Sequence, residues 1–308
     1  MGNRFMRKTF WQALAVFLLG LAALVLSISV NQVEYVEGTQ LPRSPAFFGK
    51  RLAQVITNPL AATPVQAQDA DPHGVLSTSC QTIPGPPRRP TKAELGPVRV
   101  KLGLDRFRLA ANDPNRPKEA IALAHPTNFG WRYLQQPDGS SALYPTVVVL
   151  HETVSSAQST INFFQTPHPD DDDQVSYHTL IDLDGKVIYM VPPDKRAFGA
   201  GNSQFNGMAV KTNPKLNSSV NNFAYHISLV TPADGRNNGS NHSGYTNAQY
   251  ESLAWVLSKT GVPQSNITAH KLVDRGGQRS DPRSFDGPRL LKLLEQYPQS
   301  AEIPIGCQ

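Results

Sequence analysis

The segment Thr-Val-Val-Val-Leu-His-Glu-Thr at residues 146–153 carries the clearest structural signal in the sequence. A run of β-branched apolar residues is typical of a strand, and this one predicts a strand over residues 146–150 that ends at His151. In α/β folds, sites are commonly built from side chains that follow the carboxyl ends of strands. His151 is therefore a candidate functional residue because of its position alone.

Further strand and helix patterns follow the first strand. Strands are predicted at residues 175–182, 187–191, 224–230 and 267–270, and helices at residues 158–164, from Thr246 to about 260, and from Asp286 onward. Thr246 and Gln249 have the spacing of a capping box, which marks a helix start. This order predicts an α/β domain with a central mixed β-sheet flanked by helices and a site at one edge of the sheet.

The first 30 residues form a signal sequence or membrane anchor in this interpretation. Residues 10–30 carry no charge and follow Arg4, Arg7 and Lys8. Such a helix would span about 30 Å, enough to cross a bilayer with its basic end in the cytoplasm. An uncleaved anchor is favoured over a cleaved signal because no small-x-small site closes the run. Export to the periplasm or cell envelope is expected in both cases.

Residues 31–95 are rich in proline and predict a flexible linker. The predicted folded domain follows at residues 96–308, and its core is residues 144–296. A short strand is expected at residues 98–102, and the remainder of 96–143 receives no assignment. Export also gives Cys80 and Cys307 a role, because a disulfide between them would close the domain in an oxidising compartment. The alternative is two unrelated buried thiols.

The net charge of +5 lies mostly outside the predicted domain. Nine of the 29 basic residues and five of the 24 acidic residues precede residue 96, so the remainder is almost neutral. Nucleic-acid binding requires a basic face on the folded part, and it is excluded on this ground.

We expect a monomer.

Two of the eight histidines end predicted strands, His151 and His270. After His270, Gly276 and Gly277 allow the loop to fold back and return a carboxylate to its own histidine. Two imidazoles and one carboxylate make a three-ligand zinc site with one position open for water. On spacing alone, satisfied structural histidines remain the alternative.

Several ordered motifs together resemble the type-2 N-acetylmuramoyl-L-alanine amidases, the superfamily that includes phage amidase lysozymes and peptidoglycan recognition proteins. The motifs are Thr-Val-Val-Val-Leu-His-Glu-Thr at 146–153, Val-Ser-Tyr-His at 175–178, Asp-Gly-Lys at 184–186, Tyr-Thr-x-x-Gln-Tyr at 245–250, Thr-Ala-His at 268–270 and Arg-Ser-Asp-Pro at 279–282. The resemblance covers about residues 144–296.

The resemblance implies a ligand set and a reaction. The zinc ligands fall on His151, His270 and Asp281, and the catalytic candidates on Tyr177 and Arg279. The implied activity is zinc-dependent hydrolysis of the amide bond between N-acetylmuramic acid and L-alanine in peptidoglycan or muropeptides. Arg279 stands where lysine is usual and cannot give up its proton, so it is assigned to an oxyanion.

Two questions stay open at this stage. The general base is unassigned, because Ser228 stands where one branch of the family has glutamate, and His178 and His226 are only candidate proton donors. The alternative function is a non-catalytic peptidoglycan-binding module. Such modules commonly lack the third metal ligand, so Asp281 favours an enzyme.

Overall fold

The computed structural model of the chain describes residues 80–81, 89, 113 and 115–306. The N-terminal segment 1–30, nearly all of the linker and the expected strand at 98–102 lie outside the described residues. None of the helices in the described part combines the length and apolar character that crossing a bilayer requires. Cys80 is disulfide-bonded, and Cys307, its expected partner, lies outside the described residues.

The described part of the chain contains nine strands and four α-helices. In chain order the strands are β1 (Cys80–Gln81), β2 (Glu119–Ile121), β3 (Phe129–Tyr133), β4 (Val147–Glu152), β5 (Thr179–Ile181), β6 (Val187–Tyr189), β7 (Lys195–Ala197), β8 (Ala224–Leu229) and β9 (Ile267–Ala269). The α-helices are α1 (Ala157–Gln165), α2 (Asn247–Ser258), α3 (His270–Val273) and α4 (Gly287–Leu294).

Six of the strands form one mixed sheet in the order β2, β6, β5, β8, β4, β9. Strands β5, β8, β4 and β9 run parallel, whereas β6 pairs with β5 in the antiparallel direction. Strands β1, β3 and β7 form a separate small sheet. The predicted α/β class with a central mixed sheet is confirmed.

The apolar run at the start of β4 is buried on both faces of the sheet, with no exposure from Val147 to Leu150. Val148 and Leu150 pack in the cluster that contains the buried side chains of α2 and α4. Val147 and Val149 point the other way and pack beneath residues 200–223. Alternate side chains of β4 therefore pack in two hydrophobic clusters, one on each face of the sheet. The end of β4 cannot shift without disturbing the packing of both clusters.

Several local signals are confirmed and two are corrected. The capping box forms, because the Gln249 side chain accepts from the Thr246 backbone while the Thr246 hydroxyl accepts from the Gln249 backbone. The strand predicted at 175–182 is shorter, since Ser176 uses its hydroxyl and amide for bonds to loop carbonyls of Asn128 and Phe198. His270 does not end a strand but starts α3, where its carbonyl accepts from Asp274.

Candidate metal centre

The parallel pairing of β4 and β9 brings the two strand-end histidines together. Leu150 pairs with Ala269 in register. The next residues, His151 within β4 and His270 directly after β9, therefore lie at the same carboxyl edge of the sheet. Their ring centroids are 4.6 Å apart.

Asp281 joins the two histidines to form a triad. Its Oδ1 lies 3.0 Å from Nδ1 of His270, and its Oδ2 lies 3.3 Å from Nδ1 of His151. One ligand atom from each of the three residues lies within 4.8 Å of the others. The Nδ1 atom of His151 is fully buried and makes no well-aligned hydrogen bond within the described residues. The proximity expected from the sequence is therefore found.

The loop between His270 and Asp281 is folded back by the carboxylate of Asp274. This carboxylate accepts hydrogen bonds from the backbone amides of Gly276, Gln278 and Arg279, at 3.0, 2.6 and 2.9 Å. Gly277 sits at φ +65°, a left-handed conformation that glycine adopts without strain. At its far end the loop is closed by the Lys271 amide, which donates to the carbonyl of Asp281.

A buried ion pair between Glu152 and Arg283 holds the other side of Asp281. The Arg283 guanidinium donates to Oε1 of Glu152 at 2.6 Å and to Oε2 at 3.3 Å, and the Arg283 amide adds a bond to Oε1 at 3.1 Å. Arg283 also donates to the carbonyls of Gly235, Asn237 and Gly239. Glu152 directly follows the ligand candidate His151, so one contact ties the end of β4 to the segment that carries Asp281.

Two cavities meet at the triad. One, of about 950 Å³, extends past Arg196 and Phe198, and the other, of about 430 Å³, extends past Val154 and Asn238. Both are lined by Val175, Gly199, His270 and Arg279. The triad therefore borders a cleft with two arms through His270, which lines both cavities, and Asp281, which lines the smaller one, whereas His151 is fully buried and lines neither.

Both predicted catalytic side chains lie at this junction. Tyr177 lines the smaller cavity and stacks on His151, with 4.6 Å between the ring centroids. Burial raises the pKa of Tyr177 well above its ordinary value, so its hydroxyl stays protonated. Arg279 is exposed, lines both cavities and lies near enough to the triad to lower the pKa of His151.

The electrostatics of the triad keep His151 neutral and Asp281 ionised. Burial lowers the pKa of His151 to about 4. Burial alone would raise the pKa of Asp281, but its contacts with His151 and His270 hold it well below its ordinary value. Neutral imidazoles and an ionised carboxylate are the protonation states that ligate a metal.

The other candidates from the sequence, His178, His226 and Ser228, do not line the two cavities. His226 bonds to His151, whereas Nε2 of His178 donates to the Lys195 carbonyl. Ser228 pairs with His151 across the sheet, and its buried hydroxyl has no hydrogen-bond partner among the described residues. Sequence reasoning missed Arg283, for which no local pattern gave a signal.

The fold and the site together define an α/β domain with a candidate metal centre of two histidines and one aspartate. Residues 141–284 match the family model described as N-acetylmuramoyl-L-alanine amidase. This segment, 144 of the 308 residues, is therefore similar to the N-acetylmuramoyl-L-alanine amidases.

Among curated proteins, the chain is similar to two enzymes named 1,6-anhydro-N-acetylmuramyl-L-alanine amidase AmpD. The one from Salmonella typhimurium strain LT2 is 30% identical over 125 residues, which is 39% of this chain and 58% of the relative. The one from Escherichia coli K12 is 37% identical over 127 residues, which is 40% of this chain and 60% of the relative. The chain thus spans less than two thirds of these relatives.

Solved structures of the same name are also similar. The selenomethionine derivative of AmpD is 26% identical, with a TM-score of 0.42 over 58% of this chain and 94% of that chain. AmpDH3 from Pseudomonas aeruginosa, in complex with anhydromuramic pentapeptide, is 18% identical, with a TM-score of 0.38 over 50% of this chain and 62% of that chain.

Replacing Arg283 with alanine should strongly destabilise the domain. Removal of one partner from a buried ion pair leaves the other charge uncompensated, which typically costs about 3 to 5 kcal/mol. Urea unfolding of the Arg283→Ala variant measures this loss. Arg275→Ala, which removes an exposed arginine from the neighbouring loop, should change stability by less than about 0.5 kcal/mol. Equal stability of the two variants would contradict a structural role for the pair.

The metal-free protein should lose stability as the pH falls from 6.5 toward 4. The pKa of His151 is about 4 in the folded protein and 6.5 in the unfolded chain, so the unfolded chain binds more protons in this window. The contribution of neutral His151 to the free energy of unfolding is fully present above pH 6.5 and is smaller by about 2 kcal/mol at pH 5. Urea unfolding with a chelator at pH 8 and pH 5 measures the difference, and an unchanged midpoint would argue against a buried neutral imidazole.

Proposed function

We propose that this domain is a zinc-dependent N-acetylmuramoyl-L-alanine amidase. Its reaction is hydrolysis of the amide bond between N-acetylmuramic acid and the L-alanine of a peptidoglycan stem peptide. The observation that carries the proposal is the triad of His151, His270 and Asp281 at the junction of two cavities, within a segment that matches the amidase family model.

The residues of the triad fit a zinc ion. Two neutral imidazoles and one carboxylate are a donor set that zinc takes in catalytic sites, and the three donor atoms converge within one small space. The buried Nδ1 of His151 lacks an aligned hydrogen bond within the described residues, as expected of a ligand atom. When bound, zinc polarises a carbonyl and lowers the pKa of water to about 7.

Arg279 and Tyr177 have complementary tasks in this mechanism. Negative charge develops on the carbonyl oxygen as water adds to the amide, and Arg279 supplies a fixed positive charge where the cavities meet. A guanidinium keeps its proton at neutral pH, so Arg279 stabilises the charge without shuttling a proton. Tyr177 remains protonated and donates a hydrogen bond at the same place.

Glu152 is unsuited to act as the general base although it lines the smaller cavity. Arg283 binds both of its oxygens, and the hydroxyls of Thr231 and Tyr245 and the ring of His242 add further contacts. These bonds occupy both oxygens of Glu152 and hold its carboxylate in one position. Its task is to hold the end of β4 and the Asp281 segment together.

We further propose that residues 96–308 act as a monomeric domain of an exported protein in the periplasm or cell envelope. Residues 10–30 are an uncharged segment behind three basic residues, which favours a membrane anchor or signal. The disulfide at Cys80 supports an oxidising compartment. Recovery of the tagged protein from the envelope fraction supports export, and recovery only from the cytosol would refute it.

The amidase proposal is tested with the purified full chain and muropeptides. Zinc-loaded protein should release free amino termini on L-alanine, and a chelator should abolish the release. A peptidoglycan-binding module would instead retain muropeptides at full zinc occupancy without any release, and that outcome would refute the amidase.

Two variants separate metal binding from the chemical step. Asp281→Ala should lose zinc, whereas Arg279→Ala should keep zinc and lose about 10² to 10³ in rate. Arg275→Ala, which removes an exposed cation that lines neither cavity, is the matched control. It should retain both zinc and the wild-type rate of hydrolysis. If Arg279→Ala hydrolyses at the rate of the control, the assignment of Arg279 is wrong.

A further inference from the structure

His226 lies directly behind the ligand candidate His151. On the parallel strands β4 and β8, His226 pairs with Val149, and its ring reaches along the sheet toward the strand end. Nδ1 of His226 lies 2.9 Å from Nε2 of His151, and both rings are fully buried. His226 therefore contacts His151 on the side of the ring that faces away from Asp281.

Gly199 leaves the space that this contact needs. A Cβ atom at Gly199 would lie 2.5 Å from Nδ1 of His226 and 2.6 Å from its Cγ, which is closer than any real Cβ contact. Only glycine therefore allows the backbone to pass beside the imidazole. The backbone at Gly199 therefore restricts the ring of His226 at Nδ1, the atom that contacts His151.

The opposite face of His226 is fixed as well. The ring stacks parallel on His178, with 5.7 Å between centroids and an angle of 6°. Nδ1 of His178 accepts from the His226 amide at 2.9 Å, and Nε2 of His178 lies 3.0 Å from the Lys195 carbonyl. His226 is thus held between Gly199 and His178, with little freedom to turn.

This geometry determines which nitrogen of each ring carries a proton. Nδ1 of His151 faces Asp281, so a metal bound to the triad takes that nitrogen. A neutral imidazole that ligates through Nδ1 carries its proton on Nε2, which then donates to Nδ1 of His226. Nε2 of His226 is left with its own proton and has no partner among the described residues.

We propose that His226 is a positioning residue that fixes the tautomer and ring orientation of His151 and so sets the zinc affinity of the centre. The proposal rests on the metal centre of the proposed function. Partners that orient a ligating histidine typically contribute 10- to 100-fold to metal affinity. A carboxylate or carbonyl usually has this role, and here a second imidazole takes it.

The test measures zinc affinity of the full chain by competition with a chromophoric chelator. His226→Leu removes the acceptor and should weaken zinc binding by about 10- to 100-fold. His226→Asn keeps an acceptor oxygen at the position of Nδ1 and should stay within about threefold of the wild type. The visible spectrum of the Co²⁺ form should change in His226→Leu and be restored in His226→Asn, which a purely structural role would not produce.

A second variant pair guards against poor folding of His226→Leu. Gly199→Ala should displace the ring and weaken zinc binding, whereas Gly201→Ala, where an added Cβ meets nothing within 4 Å, should bind zinc as the wild type does. Wild-type affinity in His226→Leu, or equal weakening in His226→Leu and His226→Asn, would overturn the proposal, as would a wild-type chain that binds no zinc. A wild-type chain that binds zinc without hydrolysing muropeptides would refute the amidase alone.

Discussion

The parallel pairing of β4 with β9 is the constraint on which the rest of the site depends. Parallel neighbours end at the same edge of a sheet, and register at Leu150 and Ala269 sets His151 and His270 side by side. The wholly buried run that precedes His151 fixes this register, because a slip of one residue would turn every side chain of β4 to the opposite face. The hydrophobic core therefore determines where the imidazoles point.

Polar contacts then hold the third member of the triad from both sides. The Asp274 carboxylate folds the loop before Asp281, and the Glu152–Arg283 pair holds the segment after it. On the neighbouring strand β8, His226 meets the remaining nitrogen of His151. Such surroundings fix the ligand positions before a metal arrives, which reduces the reorganisation that binding requires.

The sequence predicts those features that local patterns encode. The β-branched run of β4, the capping box at Thr246 and Gln249, and the two strand-end histidines all depend on neighbours within a few residues. The short strands β2 and β3 escaped prediction because three to five residues carry too weak a periodicity.

The contacts around the site are long-range in sequence and could not be predicted in this way. Glu152 and Arg283 are 131 positions apart, and His151 and His226 are 75 apart. The sequence leaves His226 only a candidate proton donor, because no local pattern relates its strand to β4. The role of an arginine or histidine here is decided by which strands become neighbours, and that follows only from the tertiary fold.

The central claim is that His151, His270 and Asp281 together hold one zinc ion. Anomalous diffraction at the zinc absorption edge, from crystals grown with zinc, tests it most directly. The account predicts one strong peak about 2.0 to 2.2 Å from Nδ1 of both histidines and from the Asp281 carboxylate. A peak elsewhere, or the three side chains turned apart at full zinc concentration, would contradict it.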